Sequence, residues 1–306
     1  MTNASHHSDF GDFTQTFQIE DLNIRGRLVR LDDAYNEAIR AHGYPPAIKQ
    51  LIGETMVLSA ILASALKYDG VFTLQVQGDG PVSLIMADIT SDGAMRAYAK
   101  LREGVDAAEI GGGSIPQTLG AGHMAFTVDQ GPDSERYQGI TELTGATLAE
   151  CAHNYFRQSE QLETAIAITA DAGNSGEPAR AAGLMVQRLP SARDGDEEEE
   201  NWRRAVVLMS SITSEELLDP ALDASQILYR LYHEDGVRLF ADRALRHECR
   251  CSEERVTRTL RSFPRAEIDD MADDGLITVT CEFCRTDYVY DAARLDKMFA
   301  DNSPEA

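Results

Sequence analysis

Two short cysteine spacings constrain this chain more than any other feature. Cys249-Arg250-Cys251 and Cys281-Glu282-Phe283-Cys284 hold four of the five cysteines in 306 residues. Two close pairs separated by an intervening segment can bring four thiolates to the corners of a tetrahedral zinc ion. The C-x-x-C lies between the strand-like runs Leu276–Thr280 and Tyr288–Tyr290, which predicts a zinc knuckle at the tip of a hairpin. The C-x-C has a tight bite, and its oxidation would close a small, strained ring of the labile kind. Two readings follow: a permanent structural zinc site, and a zinc site that doubles as a thiol switch.

The chain exceeds the length at which one core usually suffices, so two domains are expected. Its net charge of −23 argues against a nucleic-acid partner, since phosphate binding needs a basic footprint. Residues 249–306 alone carry 8 Lys/Arg against 13 Asp/Glu, a poor composition for a nucleic-acid-binding zinc ribbon. The first residues, with His6 and His7, show no basic and apolar leader and read as a tail, not as ligands. The apolar run Met56–Leu66 is too short to span a bilayer and is closed by Lys67. A reducing cytoplasm is expected, where clustered thiols stay reduced and metal-bound.

In chain order, Phe13, Phe17 and Ile19, then Leu28, Val29 and Leu31, predict two strands. Asp32 is the expected N-cap of a helix ending near Gly43-Tyr44-Pro45-Pro46. Apolar spacing from Ile48 through residues 51, 52, 55, 58, 62 and 66 predicts a long core helix stopped at Asp69-Gly70. A β-meander follows over Val71–Val76, Val82–Met86 and Met95–Ala99. Gly120-Ala121-Gly122-His123-Met124-Ala125 fits a dinucleotide fingerprint, but an alternating strand follows it where a helix is required, so a loop between strands is expected. A strand near Tyr137–Leu143 precedes the capping box Thr147–Glu150, which opens a helix to about Gln161. Cys151 falls on that helix's apolar face, a buried small hydrophobe without redox role. Strands at Thr164–Ile168 and Ala182–Val186 complete one α+β domain with mixed or antiparallel sheets, residues 1–190.

Composition then breaks. Ser191–Asp196 runs into Glu197–Glu200, which reads as a solvated linker or exposed loop. Short amphipathic helices are expected around Trp202, Val206, Val207 and Met209, after the capping box Thr213–Glu216, and over Ile227–Tyr232. Alone they would be marginal, so 191–240 is expected to order or melt according to its neighbours. In 241–306, Ser252 caps a helix over Glu253–Ser262, a second covers Ala266–Ala272, and Asp291 caps a last one through Phe299. So small a segment with few large apolar side chains needs its metal, worth about 10–16 kcal/mol, to stay folded.

Both cysteine pairs, with the approach Leu231-Tyr232-His233-Glu234, resemble those of the heat-shock protein 33 family of redox-regulated chaperones. The resemblance extends through Gly26–Leu31, Leu51–Glu54, Leu74–Pro81, Tyr137–Ile140 and Tyr155–Gln161, in the family's order. One departure is His247-Glu248 before the first cysteine, where an apolar approach is commoner; His247 would be a competing ligand. The resemblance implies an α+β fold with an N-terminal sandwich of sheets flanked by helices, a helical linker and a small C-terminal zinc-binding redox-switch domain. It implies one Zn2+ per chain in the reduced state, held by Cys249, Cys251, Cys281 and Cys284. It implies an ATP-independent holdase, inactive when reduced, that oxidation activates by pairing Cys249 with Cys251 and Cys281 with Cys284 and releasing zinc. Its partners would be unfolding proteins and, when oxidised, a second copy, with neither nucleic acid nor membrane. Residues such as Trp202, Leu217, Leu228 and Tyr232 would then be uncovered.

The alternative from another class is a thiol–disulfide oxidoreductase using Cys281 and Cys284. Such a site wants its C-x-x-C at a helix start within a βαβ pattern, and here strands flank it. A third reading is a static zinc-stabilised binding module that oxidation merely damages. No Ser/His/Asp, Walker or H-E-x-x-H arrangement supports another enzyme.

Overall fold

A computed structural model describes residues 10–131, 134, 136–157, 162–174, 176–190 and 195–300. His6 and His7, Gln158–Gln161 and 191–194 lie outside these residues, so the expectations placed on them are not addressed. The chain divides into two compact units, Met1–Glu248 and Cys249–Ala306.

The first unit opens with the antiparallel pair β1 (Phe13–Ile19) and β2 (Ile24–Leu31). The helices α1 (Asp33–Arg40) and α2 (Pro46–Ala65) follow, then the meander β3 (Val71–Gly78), β4 (Val82–Thr90) and β5 (Ala94–Leu101). A short turn of helix, α3 (Ile115–Thr118), leads to β6 (Gly122–Asp129), β7 (Tyr137–Glu142) and α4 (Leu148–Tyr155). Next come β8 (Thr164–Asp171) and β9 (Arg180–Arg188), and then α5 (Asp196–Ser210), α6 (Ser214–Leu218) and α7 (Ala224–Tyr232). The short strands β10 (Val237–Leu239), β11 (Arg243–Ala244) and β12 (Arg246–His247) close the unit.

These strands build two sheets. One runs β10-β1-β2-β9-β8, with β11 also on β1; the other runs β12-β5-β4-β3-β6-β7. All pairings are antiparallel except that of β12 with β5. The α+β class and the sheets with flanking helices agree with expectation. The difference is in α2. Helical spacing placed one stripe of it in the core, yet Gly53, Met56, Val57, Ser59, Ala60, Ile61 and Ala63 are buried as well. It packs against strands of both sheets, and a helix covered on both sides is apolar nearly all round. At 20 residues it is long and apolar enough to cross a bilayer by composition, but 72% of its most apolar stretch is buried inside the protein.

Two local expectations are corrected. Asp32 stands at the N-cap of α1 with φ −124° and ψ −88°, outside the extended conformation that aims a capping side chain, and makes no cap bond. Asp12 Oδ1 does this work instead, accepting from the amides of Asp32 (2.8 Å) and Ala34 (3.1 Å). The acidic run is also no loop from Asp196 on: it forms the first turns of α5, where four carboxylates in the first turn complement the positive end of the helix dipole. Glu198 pairs with Arg188 of β9 at 3.2 Å.

The helices α5–α7 cover the outer face of the first sheet. Ala205, Met209, Leu217, Ile227, Leu228 and Tyr232 form one buried cluster with Phe17, Ile19, Ile24, Leu28, Leu184 and Val186. Two of these helices are short, at five and nine residues, while α5 runs to 15. The capping boxes Thr213/Glu216 and Asp223/Gln226 are complete.

The second unit has α8 (Glu253–Leu260), α9 (Arg265–Asp270), the hairpin β13 (Leu276–Thr280) and β14 (Asp287–Asp291), and α10 (Ala292–Ala300). The predicted caps are present: Ser252 accepts from the Arg255 amide and Asp291 from that of Arg294. Its buried apolar cluster is only Leu260, Ile268, Ile277, Tyr290, Leu295 and Met298. For a unit of about 60 residues that is a thin core.

Candidate metal centre

The knuckle follows from the hairpin. The register of β13 and β14 runs from Leu276 opposite Asp291 to Thr280 opposite Asp287, leaving 281–286 as the loop. Within it the Cys281 amide donates to the Thr286 carbonyl and the Arg285 amide to the Cys281 carbonyl, each at 2.9 Å. Arg285 adopts the left-handed conformation (φ 59°) that turns the chain back into β14. Both thiols of the C-x-x-C therefore face the same side of a tight turn. Cys249 and Cys251 come from the extended segment before α8.

The four Sγ atoms all lie within 4.8 Å of one another, each half-buried. Cys249 and Cys281 are 3.7 Å apart, Cys251 and Cys284 3.4 Å. Four thiolates about 2.3 Å from one tetrahedral ion would stand about 3.8 Å apart, so the spacing fits a metal such as zinc. His247, the possible competitor, lies on β12 in the first unit and is not part of this group.

The electrostatics point the same way. Burial pushes the Cys251 thiol up to about 12, against the Tyr288 hydroxyl that donates to its sulfur at 3.1 Å. Burial also raises Cys281. Burial acts upward on Cys284 too, but hydrogen bonding from Thr286 and the neighbouring thiols outweighs it and brings that thiol down to about 6. Four anionic sulfurs this close repel, so without a cation the group cannot be fully deprotonated. A coordinated divalent ion removes that conflict and takes every thiol as thiolate.

Tyr288 and Thr286 (3.2 Å from Cys284 Sγ) were not singled out from sequence. The alternation Tyr288-Val289-Tyr290 does carry a signal, since it places Tyr288 and Tyr290 on one face of β14. Arg30, on β2, was also missed. Its fully buried guanidinium donates to the carbonyls of Leu222 (2.6 Å), Leu217 (3.1 Å) and Asp219 (3.3 Å) and sits 4.4 Å over the Phe10 ring. It clamps the α6–α7 loop to the sheet. Cys151 is buried, as its place on the apolar face of α4 predicted, and burial pushes its thiol up.

Comparison with known proteins bears on the whole chain. The family model described as Hsp33 protein matches residues 12–291. A 33 kDa chaperonin of Caulobacter vibrioides is 39% identical over 286 residues, covering 92% of this chain and 95% of the relative. One from Ectopseudomonas mendocina is 38% identical over 300 residues, covering 96% and 97%. Among solved structures, the 33 kDa chaperonin (heat shock protein 33 homolog) of Thermotoga maritima is similar with a TM-score of 0.80. That match spans 95% of this chain and 99% of the other at 22% identity, a likeness of fold.

Proposed function

The chain belongs to the Hsp33 family of chaperones, and from that premise we propose that it is a redox-regulated, ATP-independent holdase, without enzymatic activity, working in a reducing cytoplasm. The observation that carries this reading is the gathering of Cys249, Cys251, Cys281 and Cys284 within 4.8 Å in a unit whose apolar core is too thin to stand alone. When bound, Zn2+ supplies the positive charge that holds four thiolates together and with them the fold of residues 249–306.

Thiolates are also what oxidants attack, so the same atoms carry fold and signal. We assign the disulfides to Cys249–Cys251 and Cys281–Cys284. In each pair two thiolates lose two electrons to one peroxide, which takes up two protons and leaves as two waters. Disulfide sulfurs no longer donate as thiolates, and zinc is released. In functional terms the chain divides into a chaperone core (1–190), a linker (191–240) and a redox switch (241–306). Unfolding of the switch reaches the linker along the chain through β12, a two-residue strand beside Cys249, then β11, β10 and α7. Departure of α5–α7 would uncover Phe17, Ile19, Leu28, Leu184 and Val186, together with the helices' own apolar faces. Such a surface binds unfolding chains, while the net charge of −23 keeps the complexes soluble. The oxidised, active form is assigned as a homodimer, acting on neither nucleic acid nor membrane.

Light scattering of a thermally unfolding client tests this, with zinc release followed by a chromogenic chelator in the same sample. Suppression of aggregation only after peroxide treatment, in step with zinc release, is the expected result. Equal suppression by reduced and oxidised protein would remove redox control, and none in either state would refute the holdase reading. Peptide mapping of the oxidised chain should recover Cys249–Cys251 and Cys281–Cys284; a Cys249–Cys281 bridge would overturn the pairing.

A further inference from the structure

The hydroxyl of Tyr288 donates to the Cys251 sulfur at 3.1 Å, and nothing in the fold of the hairpin requires that contact. Tyr288 lies opposite Val279 in the register of β13 and β14, and its ring packs against the buried cluster of the second unit. A phenylalanine would serve both purposes. Tyr290, on the same face of β14, turns its own hydroxyl to that of Thr257 at 3.3 Å. The Tyr288 hydroxyl is aimed instead across 37 positions of sequence at one of the four clustered sulfurs.

What a donor does there follows from the chemistry of a thiolate. A sulfur that holds a metal through one lone pair keeps others, and with these it attacks electrophiles. A hydrogen bond to an anionic acceptor is of the strong, charge-assisted kind. It lowers the acceptor's affinity for a proton by about ten- to a hundredfold. The reactivity of a thiolate follows its proton affinity with an exponent of about 0.4–0.5, so the donor slows attack by about 3- to 10-fold. Cys251 is half-buried, so reagents reach its sulfur and this damping bears on its rate.

We propose that Tyr288 sets the rate at which the four-cysteine centre is oxidised, by damping the nucleophilicity of Cys251 through the hydrogen bond to its sulfur. The oxidant is hydrogen peroxide. The Cys251 thiolate attacks one peroxide oxygen, an S–O bond forms as the O–O bond breaks, and hydroxide leaves. The Cys249 thiolate then attacks that sulfur, the S–S bond forms as the S–O bond breaks, and a second hydroxide leaves. Each hydroxide takes a proton from solvent and becomes water. When Cys249 meets peroxide first, Cys251 is the thiolate that closes the disulfide, and the same hydrogen bond slows it. The consequence for the chaperone rests on the redox-switch reading; the damping of Cys251 does not.

The test is the rate at which Cys251 is alkylated by iodoacetamide, and oxidised by peroxide, in the full-length, reduced protein with zinc in excess. Tryptic cleavage at Arg250 parts Cys249 from Cys251, so mass spectrometry reads each cysteine separately. Both rates at Cys251 should rise about 3- to 10-fold with Tyr288→Phe, which keeps the packed ring, and stay unchanged with Thr278→Val, an exposed hydroxyl on β13. Replacing Tyr288 by 3-fluorotyrosine, a stronger donor on the same ring, should slow Cys251 below wild type, which a loosened fold would not do. Unchanged rates at Cys251 in Tyr288→Phe, or an equal rise at Cys251 and Cys281, would overturn the proposal. Client light scattering on the same samples separates the two readings. If wild type suppresses aggregation only after oxidation while Cys251 ignores Tyr288, the damping fails and the switch stands. If no state suppresses aggregation, the holdase reading fails and alkylation still decides whether Tyr288 damps Cys251.

Discussion

Arg30→Met should loosen α6 and α7 without unfolding the rest of the first unit. The native guanidinium bonds three carbonyls of the 217–222 stretch and lies over Phe10. Burial lowers its pKa to about 10 against the opposing pull of Asp219 and Asp223, so it is charged at neutral pH. Methionine fills much of the volume but leaves the carbonyls without a donor. The bond to Leu217 is buried, and an orphaned acceptor there costs about 1–3 kcal/mol. The bonds to Leu222 and Asp219 are half-buried, and water replaces the donor there at small cost. Losing the contact with Phe10 adds about 1 kcal/mol, and relief of the buried charge gives part of this back. The net is about 2–3 kcal/mol of docking stability, a factor of about 30 to 150 in opening. Hydrogen exchange of the reduced, zinc-loaded protein reads it directly: amides of 214–232 should exchange faster by that factor and those of β3 and β4 should not change. Arg30→Lys, a point charge without the planar fork, should fall between. Unchanged exchange in 214–232 would refute the clamp, and uniform acceleration across the first unit would show a general packing role instead.

Other perturbations give equally definite expectations. Chelating zinc under reducing conditions should unfold residues 249–306 while the sheets of residues 1–190 keep their cooperative melt; a second unit still folded by near-UV dichroism would show that its six-residue core suffices. Gly26→Ala should lower thermal stability by about 1–3 kcal/mol or more, because its Cβ would enter the Phe17 ring across the β1–β2 pair; an unchanged melting temperature would mean that the ring moves aside freely. Burial raises Asp12 from 3.8 to about 6, so the folded state holds this proton more tightly and loses stability as pH rises from about 4 through 6. Asp12→Asn keeps an acceptor for the Asp32 and Ala34 amides, and should flatten that slope and add about 1 kcal/mol at pH 7, the figure reduced for partial exposure; denaturant titrations across pH 4–7 that superimpose for both proteins would refute it.

Local chemistry made much of this protein legible from sequence. Cysteine spacing, a strand on either side of Cys281–Cys284 and the caps at Ser252, Thr213 and Asp291 are short-range features, each decided by neighbours a few residues away. The meander and the long apolar helix are legible for the same reason. What the sequence left undetermined is what each element packs against. Spacing marks a stripe on α2 but does not show that two sheets cover it. Charge marks 196–200 as solvated but not as the start of a docked helix with Glu198 on Arg188. The Arg30 clamp and the Tyr288 donor join residues 187–192 and 37 positions apart. Hydrogen bonds and burial between distant segments depend on the three-dimensional path of the chain, which spacing along the sequence does not encode.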